Sequence, residues 1–352
     1  MWPWILILLI PAIAGCFKSY DILLGKKRHV RVSLIIVFVV LFIFRAFRKD
    51  SVGGDLETYK ALFYYIGSVD WKIGLAYPGY EIGFLVYLKV IYCMVQNFNA
   101  VLIVTALIYT IGLVKFIYSN SPDPEFSIYI YISLYLFGSS FNNERQAISI
   151  ALLMMSYAYV KKRNIYGFLG FVFVAALFHA TSIVFIPVYF LYRIKPNKKF
   201  WLASAISTVV VLEASPLILN FIISHFYTKY SGIDLMSGGG YAYYILLVLV
   251  LIVGIVLIPN DELYSDDNIN TWGQMITIAS ILQIFSFTMG YFYRLVILYS
   301  VAMVIYIPIM IEKLDMQSRF ISKVLIIVLL GGYYILELST DSLSLVPYGW
   351  RI

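Results

Sequence analysis

The chain has 352 residues, of which 62% are hydrophobic and 13% charged, and its mean hydropathy is +0.87. Soluble domains carry about a quarter of charged residues, so this chain has too few to cover a water-facing surface. The formal net charge is +7, but the basic residues lie in short stretches between apolar segments, where they orient a membrane protein and meet anionic headgroups. Composition therefore excludes a soluble globular domain, and the charge does not indicate a nucleic-acid partner.

Apolar segments recur along the whole chain and predict an all-α polytopic membrane protein. Each is long enough, or nearly so, to cross a hydrocarbon core of about 30 Å as a helix. The first has no basic residues ahead of it, unlike a secretory signal peptide, and we expect it to remain as a membrane helix. The segments are 2–16, 32–44, 79–96, 100–118, 127–141, 145–160, 165–192, 200–215, 241–258, 272–290, 295–311 and 321–338.

The connections between these segments predict the orientation of the chain. Cytoplasmic loops of membrane proteins carry an excess of Lys and Arg. Four stretches with such an excess are therefore predicted to be cytoplasmic: 17–31, 161–163, 193–199 and 313–323. We expect a single integral membrane domain over 1–352, with extracytoplasmic loops near 45–78 and 216–240.

Two segments do not fit a count of simple passes. The run 165–192 has basic residues at both ends, which predicts two short passes that turn near His179. Segment 127–141 is short and ends in Gly138-Ser139-Ser140, which predicts a re-entrant segment, since irregular backbone is tolerated at membrane depth where it lines a cavity. The prediction is about 12 transmembrane helices plus this re-entrant segment, with both termini outside. This topology brings six ionisable residues to the outer face: Arg48, Asp55, Arg145, His179, Arg294 and Arg351.

The predicted outer loop that follows the second segment concentrates charge beside the membrane. The stretch from Arg45 to Tyr59 contains two arginines, two aspartates, a glutamate and the pair Gly53-Gly54. Glycines let the backbone approach a ligand closely, and arginine suits bidentate contact with phosphate oxygens. The alternative is a solvated loop in which Asp55 caps a helix that starts near Leu56.

Arg145 lies in the polar stretch 142–146, between two apolar segments. An ionisable residue at membrane depth is costly to bury, which makes function the first hypothesis for it. The alternative is a structural ion pair within the helix bundle, for example between Glu144 and Arg145.

Three further residues complete the set of candidates. His179 lies inside an apolar run, where imidazole is a natural proton acceptor near neutral pH, although it could also serve helix packing. Arg294 begins the next-to-last segment and could be an interfacial anchor. Glu81 opens the third segment, where a carboxylate also interacts favourably with the helix dipole. The chain has no phosphate-binding Walker loop, dinucleotide fingerprint or zinc-helix motif, so we expect no metal and no cofactor.

These motifs resemble those of a known family. The run from Phe47 to Asp55, followed by Tyr59, is similar to the R-x-D-x-V-G-x-D…Y loop of the EpsG family, which comprises Wzy-like polymerases of exopolysaccharide, capsule and O-antigen. Gly54 departs from the threonine expected at that position. Four later stretches resemble the family in the same order, around Glu81, over 143–147, over 178–182 and over 293–295.

The resemblance implies a multi-pass glycosyltransferase of the GT-C type at the outer face of the bacterial cytoplasmic membrane. Such an enzyme transfers a growing glycan from an undecaprenyl diphosphate carrier to the next lipid-linked repeat unit. On this hypothesis Arg48, Arg145 and Arg294 contact the diphosphates, where positive charge stabilises the leaving group. His179, with Asp55 or Glu81 as alternatives, takes the proton from the acceptor hydroxyl.

The partners implied are undecaprenyl-diphosphate-linked glycans, membrane lipids, a chain-length regulator and a flippase. Two alternatives stay open. One is another lipid-linked glycosyltransferase or an O-antigen ligase, which would need the same outer arginines. The other, from a different class, is a polysaccharide or lipid transporter, which would place ionisable residues at the bilayer midplane and often carries inverted repeats.

Overall fold

The structure, a computed structural model, describes residues 1–23, 30–226 and 239–351. These residues form α-helices and short 3₁₀ turns, and the described part contains no β-strand beyond one isolated antiparallel bridge between Arg48 and Trp350. The chain is thus an all-α membrane protein, as its composition predicted. Two predicted features lie partly outside the described residues. These are the basic stretch 17–31, of which 24–29 are not described, and the loop near 216–240, of which 227–238 are not described.

The described chain divides into two compact units. The first comprises 1–183 and 315–352. Its helices are α1 (Trp2–Leu23), α2 (Val30–Ala46), α3 (Leu56–Ser68), α4 (Trp71–Leu75), α5 (Ile82–Met94), α6 (Asn99–Asn120), α7 (Pro124–Ser133), α8 (Leu136–Ser139), α9 (Glu144–Lys161), α10 (Ile165–Phe178) and α18 (Met316–Thr340). The single membrane domain expected from the sequence stays a prediction.

The second unit comprises 184–314. Its helices are α11 (Pro187–Leu191), α12 (Lys198–Phe226), α13 (Tyr241–Leu257), α14 (Asn260–Ser265), α15 (Asp267–Thr288), α16 (Tyr293–Ser300) and α17 (Met303–Glu312). A 3₁₀ turn at 180–185 leads into this unit, and another at 290–292 precedes α16.

Short polar side chains begin several of these helices. The side chain of Asn164 accepts a hydrogen bond from the Gly167 amide at the start of α10. Asp266 and Asp315 accept from backbone amides in the first turns of α15 and α18 in the same way. Such caps satisfy amide groups that have no partner within the helix, so each helix has a defined first residue.

Few of the helices are long enough to cross a bilayer alone. Among the described residues, three are sufficiently long and apolar: Asn99–Asn120, Lys199–Phe221 and Met316–Thr340. A fourth is reached if Gly290–Ser300 and Met303–Glu312, bent by 46°, count as one span. The other apolar helices are shorter; the 13 residues of α5 rise only about 20 Å at 1.5 Å per residue. The count of twelve passes therefore stays a prediction.

The backbone is irregular in both segments that did not fit simple passes. Helix α10 ends at Phe178, and His179 is extended with φ −153° before the 3₁₀ turn. Helix α7 ends at Ser133, and Tyr135 adopts a left-handed conformation with φ 64° before the four-residue helix α8. Every residue of α7 is buried, so its backbone is shielded by protein.

Helix α9 packs against α6 and α10 in the first unit. The contact with α6 is close because Gly112 faces Ala151: a Cβ atom on Gly112 would lie 2.8 Å from the Ala151 Cβ and 2.9 Å from its backbone. Small residues at such a contact let membrane helices approach each other closely.

We therefore predict that Gly112→Ala destabilises the protein, because the added methyl group meets backbone that cannot move aside. The expected loss is about 1–3 kcal/mol, measured by thermal unfolding of the purified protein in detergent. Gly170→Ala, in α10, is the matched control, since a Cβ there meets open space, and alanine should be neutral or slightly stabilising. Equal melting temperatures for the two variants would contradict this packing.

Candidate functional site

Two arginines and one glutamate meet in the interior of the first unit, and we call Arg45, Arg48 and Glu144 the buried cluster. Arg45 lies in the last turn of α2, and its Nη2 is 2.9 Å from Glu144 Oε2. Arg48 follows in the loop and forms an ion pair with the other carboxylate oxygen. All three side chains are at most 1% exposed. Glu144 is the first residue of α9, so this helix begins at the cluster.

The buried cluster is stabilised by aromatic rings as well as by charge. The Arg48 guanidinium lies 4.4 Å from the centre of the Phe141 ring, and that of Arg45 lies 4.9 Å from the Tyr109 ring. Burial lowers the pKa of Arg48 to about 10, while Glu144 opposes this effect, so Arg48 is charged near neutral pH. With Arg45 and Arg48 as cations and Glu144 as the anion, the three side chains carry one excess positive charge.

The C-terminal segment holds the loop that carries Arg48. The Lys49 amide donates to the Gly349 carbonyl at 2.8 Å, and the Arg351 amide donates to the Phe47 carbonyl at 2.7 Å. Arg351 also forms an ion pair with Asp50. Because these bonds flank Arg48 on both sides, they fix the position of its backbone.

The loop also passes very close to the start of α9. Gly53 has φ +109°, and a Cβ atom there would lie 2.5 Å from the Phe141 carbonyl oxygen. The next amide, of Gly54, donates to Asn142 Oδ1 at 3.1 Å. Only glycine combines this conformation with this approach, which is the structural reason for Gly53 in the motif.

A second group of ionisable residues lies beside the first, and we call Glu81, Arg145 and His179 the open cluster. Arg145 Nη1 is 2.5 Å from Glu81 Oε2, and the Ala180 amide donates to Glu81 Oε1 at 3.0 Å. His179 Nδ1 lies 3.6 Å from the same oxygen, which is too far for a hydrogen bond. The exposed fractions of the Arg145 and Glu81 side chains are 15% and 20%, so these two side chains are partly accessible to solvent, whereas His179 is buried.

Two tyrosines and an asparagine border the open cluster. The Tyr80 ring lies 4.7 Å from the Arg145 guanidinium carbon. The Tyr59 hydroxyl donates to Asn143 Oδ1 at 3.0 Å, and Asn143 caps α9 through the Gln146 amide. The open cluster therefore lies at the first turn of α9, beside the Tyr80 ring.

The surroundings of Glu81 and Tyr59 shift their pKa values in opposite directions. Burial raises the pKa of Glu81, but contacts with His179, the Ala180 amide and Arg145 outweigh it and lower the pKa to about 2. Burial raises the pKa of Tyr59 to about 12, against the charge of Arg145. Near neutral pH Glu81 is therefore an anion and Tyr59 a hydrogen-bond donor.

Some polar side-chain atoms in the open cluster have no partner within the protein. Within the described part of the chain, both ring nitrogens of His179 and the Nε of Arg145 are buried and have no hydrogen-bond partner. Buried polar atoms are normally satisfied. Unsatisfied groups beside a partly exposed carboxylate and guanidinium make the open cluster a candidate ligand site.

The structure thus brings three of the six predicted site residues together: Glu81, Arg145 and His179. Asp55 is exposed at the start of α3, makes no capping hydrogen bond, and acts electrostatically on Tyr59 and Tyr80. Asp55 therefore occupies the N-cap position of a helix that starts at Leu56, as the alternative predicted, but without a side-chain capping bond. The alternative ion pair between Glu144 and Arg145 is wrong, since each pairs elsewhere.

The two remaining arginines differ from Arg145. Arg48 is fully buried and its guanidinium contacts Glu144, Phe141 and the carbonyl of Arg45. Arg294 belongs to the second unit, where it lies in the first turn of α16 with its guanidinium 5.2 Å from the Tyr291 ring. Their predicted contacts with diphosphate stay predictions.

Sequence reasoning did not place Arg45, Glu144, Tyr59 or Asn143 among the predicted site residues. One signal was available, because Arg45 and Arg48 are three residues apart at the end of an apolar segment, a spacing that places helical side chains on one face. The partners of Tyr59 and Asn143 are 84 residues apart, and no local pattern predicts that contact.

Comparison with known proteins identifies the family of the chain. A model of the EpsG family matches residues 31–350. The chain belongs to the EpsG family. This family comprises Wzy-like polymerases, and the match includes every residue of the buried and open clusters. No curated protein and no solved structure gives a significant match.

For this EpsG-family chain we predict that Glu144→Gln is strongly destabilising, because it leaves two buried arginines without their shared anion. Removing one partner of a buried ion pair costs about 3–5 kcal/mol. Thermal unfolding in detergent measures the loss, with Glu57→Gln, an exposed carboxylate in α3, as the control. A loss no greater than that of the control would show that the buried cluster does not stabilise the fold.

The lowered pKa of Glu81 predicts how its contribution varies with pH. A carboxylate whose pKa falls from 4.5 to about 2 on folding stabilises the protein above pH 4.5 and loses this effect as the pH falls toward 2. We expect Glu81→Gln to lower the melting temperature by a constant amount from about pH 8 to about pH 5. Below about pH 4.5 the difference from the wild type should shrink; a difference that stays constant to about pH 3 would contradict the assigned pKa.

Proposed function

We propose that the protein is a polymerase that joins undecaprenyl-diphosphate-linked oligosaccharide repeat units into a surface polysaccharide: O-antigen, capsule or exopolysaccharide. The observation that carries the proposal is the EpsG family match over 31–350. The proposal includes a GT-C-like architecture with about twelve passes and a re-entrant segment at 127–141. It places the enzyme in the bacterial cytoplasmic membrane with the open cluster facing outward.

In the proposed reaction a hydroxyl of one lipid-linked repeat unit attacks the anomeric carbon of the lipid-linked glycan. The bond between this carbon and the diphosphate oxygen breaks, and undecaprenyl diphosphate leaves with the electron pair. The proton of the attacking hydroxyl passes to a base on the enzyme. No nucleotide sugar is required, since both substrates come from the membrane.

The geometry supports a division of roles among the arginines. The Arg145 guanidinium is partly exposed, has an unused Nε donor and lies beside Glu81, so we assign it to the diphosphate of the donor. Arg48 is buried, so we assign it, with Arg45, to raising the positive potential beside that diphosphate. Positive charge held in a water-poor site stabilises a leaving anion strongly. Arg294 is proposed for the second diphosphate.

His179 is the best candidate for the base. Its two ring nitrogens have no hydrogen-bond partner among the described residues, and Glu81 lies beside Nδ1 as an anion that can orient the ring and stabilise its protonated form. A carboxyl with a pKa of about 2 is itself a weak base at neutral pH. We therefore assign Glu81 to positioning, and keep the exposed Asp55 as the alternative base.

Deletion of the gene in its host tests the function as a whole. Lipid-linked glycans and surface polysaccharide are separated by size, and the proposal predicts loss of the long ladder while single repeat units persist. An unchanged chain-length distribution would refute polymerisation. Loss of all surface glycan together with accumulation of complete repeat units at the inner face would instead favour the transporter.

Substitutions in the complementing gene test the assigned roles. We expect His179→Ala to lower the polymerisation rate by about 10²- to 10⁴-fold, the usual contribution of a general base. His225→Ala is the control, because His225 is exposed on α12 in the second unit and should leave the rate unchanged. Wild-type turnover by His179→Ala would remove His179 from the mechanism and direct the search to Asp55→Asn.

Arg145→Lys separates charge from geometry at the diphosphate. Lysine keeps the positive charge but not the planar fork that binds two oxygens at once. We expect a large loss of activity with unchanged expression and melting temperature. Activity close to that of the wild type would indicate that Arg145 contributes only its charge.

A further inference from the structure

The C-terminal half of α6 borders two cavities, both within the first unit and away from the open cluster. The larger, of about 580 Å³, lies between α6 and α2. Its walls are apolar except for two residues of α6, Lys115 and Tyr118. The wall residues of α6 recur at 111, 114, 115 and 118, the spacing of one helix face.

The second cavity, of about 280 Å³, lies on the other side of α6 between its C-terminal end and that of α9. Lys115 lines this cavity too, together with Lys161 and Lys162. Lys161 Nζ is 3.2 Å from Asn120 Oδ1 and 3.4 Å from the Ser119 carbonyl oxygen. Three lysines thus converge where the two cavities adjoin, and no Asp or Glu is among the described residues that line either one.

This basic cavity is remote from the open cluster. Lys161 follows Arg145 by 16 residues on the same helix, α9, which places it about 24 Å away at 1.5 Å per residue. A hydrocarbon core is about 30 Å thick. The lysines therefore lie near the opposite edge of the membrane from the open cluster, and a substrate held there would not reach Arg145.

We propose that the two cavities form a binding site for an anionic glycerophospholipid. Its phosphate lies against Lys115, Lys161 and Lys162, and one acyl chain fills the apolar groove between α2 and α6. Lysine binds phosphate as a point charge, and the groove offers the chain apolar contacts. A cationic pocket joined to an apolar groove at the membrane edge matches an amphiphile with an anionic head.

Lysines at helix C-termini need no ligand to be favourable, because the helix dipole attracts them. The two explanations differ in the expected effect of removing the lysines. If only the helix dipole matters, their removal alters the stability of the protein; if they form a lipid site, their removal also alters which lipid remains bound.

Native mass spectrometry of the full-length protein tests the proposal. The protein is purified in detergent, and phosphatidylglycerol and phosphatidylcholine with identical acyl chains are added at equal concentration. We expect the wild type to retain phosphatidylglycerol in preference to phosphatidylcholine. In Lys161→Gln/Lys162→Gln, retention of phosphatidylglycerol should fall by about fivefold for each lysine removed. The matched control is Lys195→Gln/Lys199→Gln, two exposed lysines of another basic stretch, which should retain the lipid as the wild type does.

A substitution without a change of charge tests the groove. Ile111 is exposed in the larger cavity, so Ile111→Trp should fill it without disturbing the core and should also lower retention of phosphatidylglycerol. Equal losses in the control double variant would show general attraction to a basic surface and overturn the proposal. Wild-type retention of phosphatidylglycerol by Lys161→Gln/Lys162→Gln, whatever its melting temperature, would also overturn the proposal. A preference of the wild type for a polyprenyl phosphate over phosphatidylglycerol would overturn it too.

Discussion

Glu144 is the one anion shared by two buried arginines, and the arrangement of the first unit around the candidate site depends on this pairing. Moving an ion out of water costs several kcal/mol, which close ionic contact must offset. The end of α2, the turn at 140–141 and the first residue of α9 are therefore held together. Because Glu144 is oriented inward, the next residue, Arg145, emerges on a different side of the helix and meets Glu81.

The site is assembled from segments that are far apart in the chain. The loop at 47–53 is bonded to the C-terminal stretch 344–351, and its glycine packs on the Phe141 carbonyl. Glu81 and His179 come from the start of one short helix and the end of another. Each of these residues lies at the end of a helix, where unsatisfied backbone groups and breaks in the apolar surface allow polar side chains to gather.

The two clusters complement each other in the proposed polymerisation. The buried cluster holds an excess positive charge that solvent does not screen, and the open cluster presents a carboxylate together with a guanidinium and an imidazole that have unpartnered nitrogen atoms. The proposed substrates are carried on a lipid diphosphate in the membrane. The enzyme would therefore need groups that stabilise the leaving anion and a base, but no nucleotide-binding domain. Near the C-terminal ends of α6 and α9, three lysines and the apolar groove between α2 and α6 form the proposed site for the phosphate and chain of a membrane lipid.

The sequence by itself determined the all-α membrane class, the family and the breaks near His179 and in 127–141, because composition, motif order and segment length are local properties of the chain. It did not distinguish Arg48 from Arg145, which both lie in polar stretches between apolar segments. Only the tertiary structure decided that Arg48 is enclosed by Glu144 and Phe141 while Arg145 stays accessible. The physical reason is that the burial and the partners of these arginines are set by residues 96 and 64 positions away, through packing that no local spacing encodes.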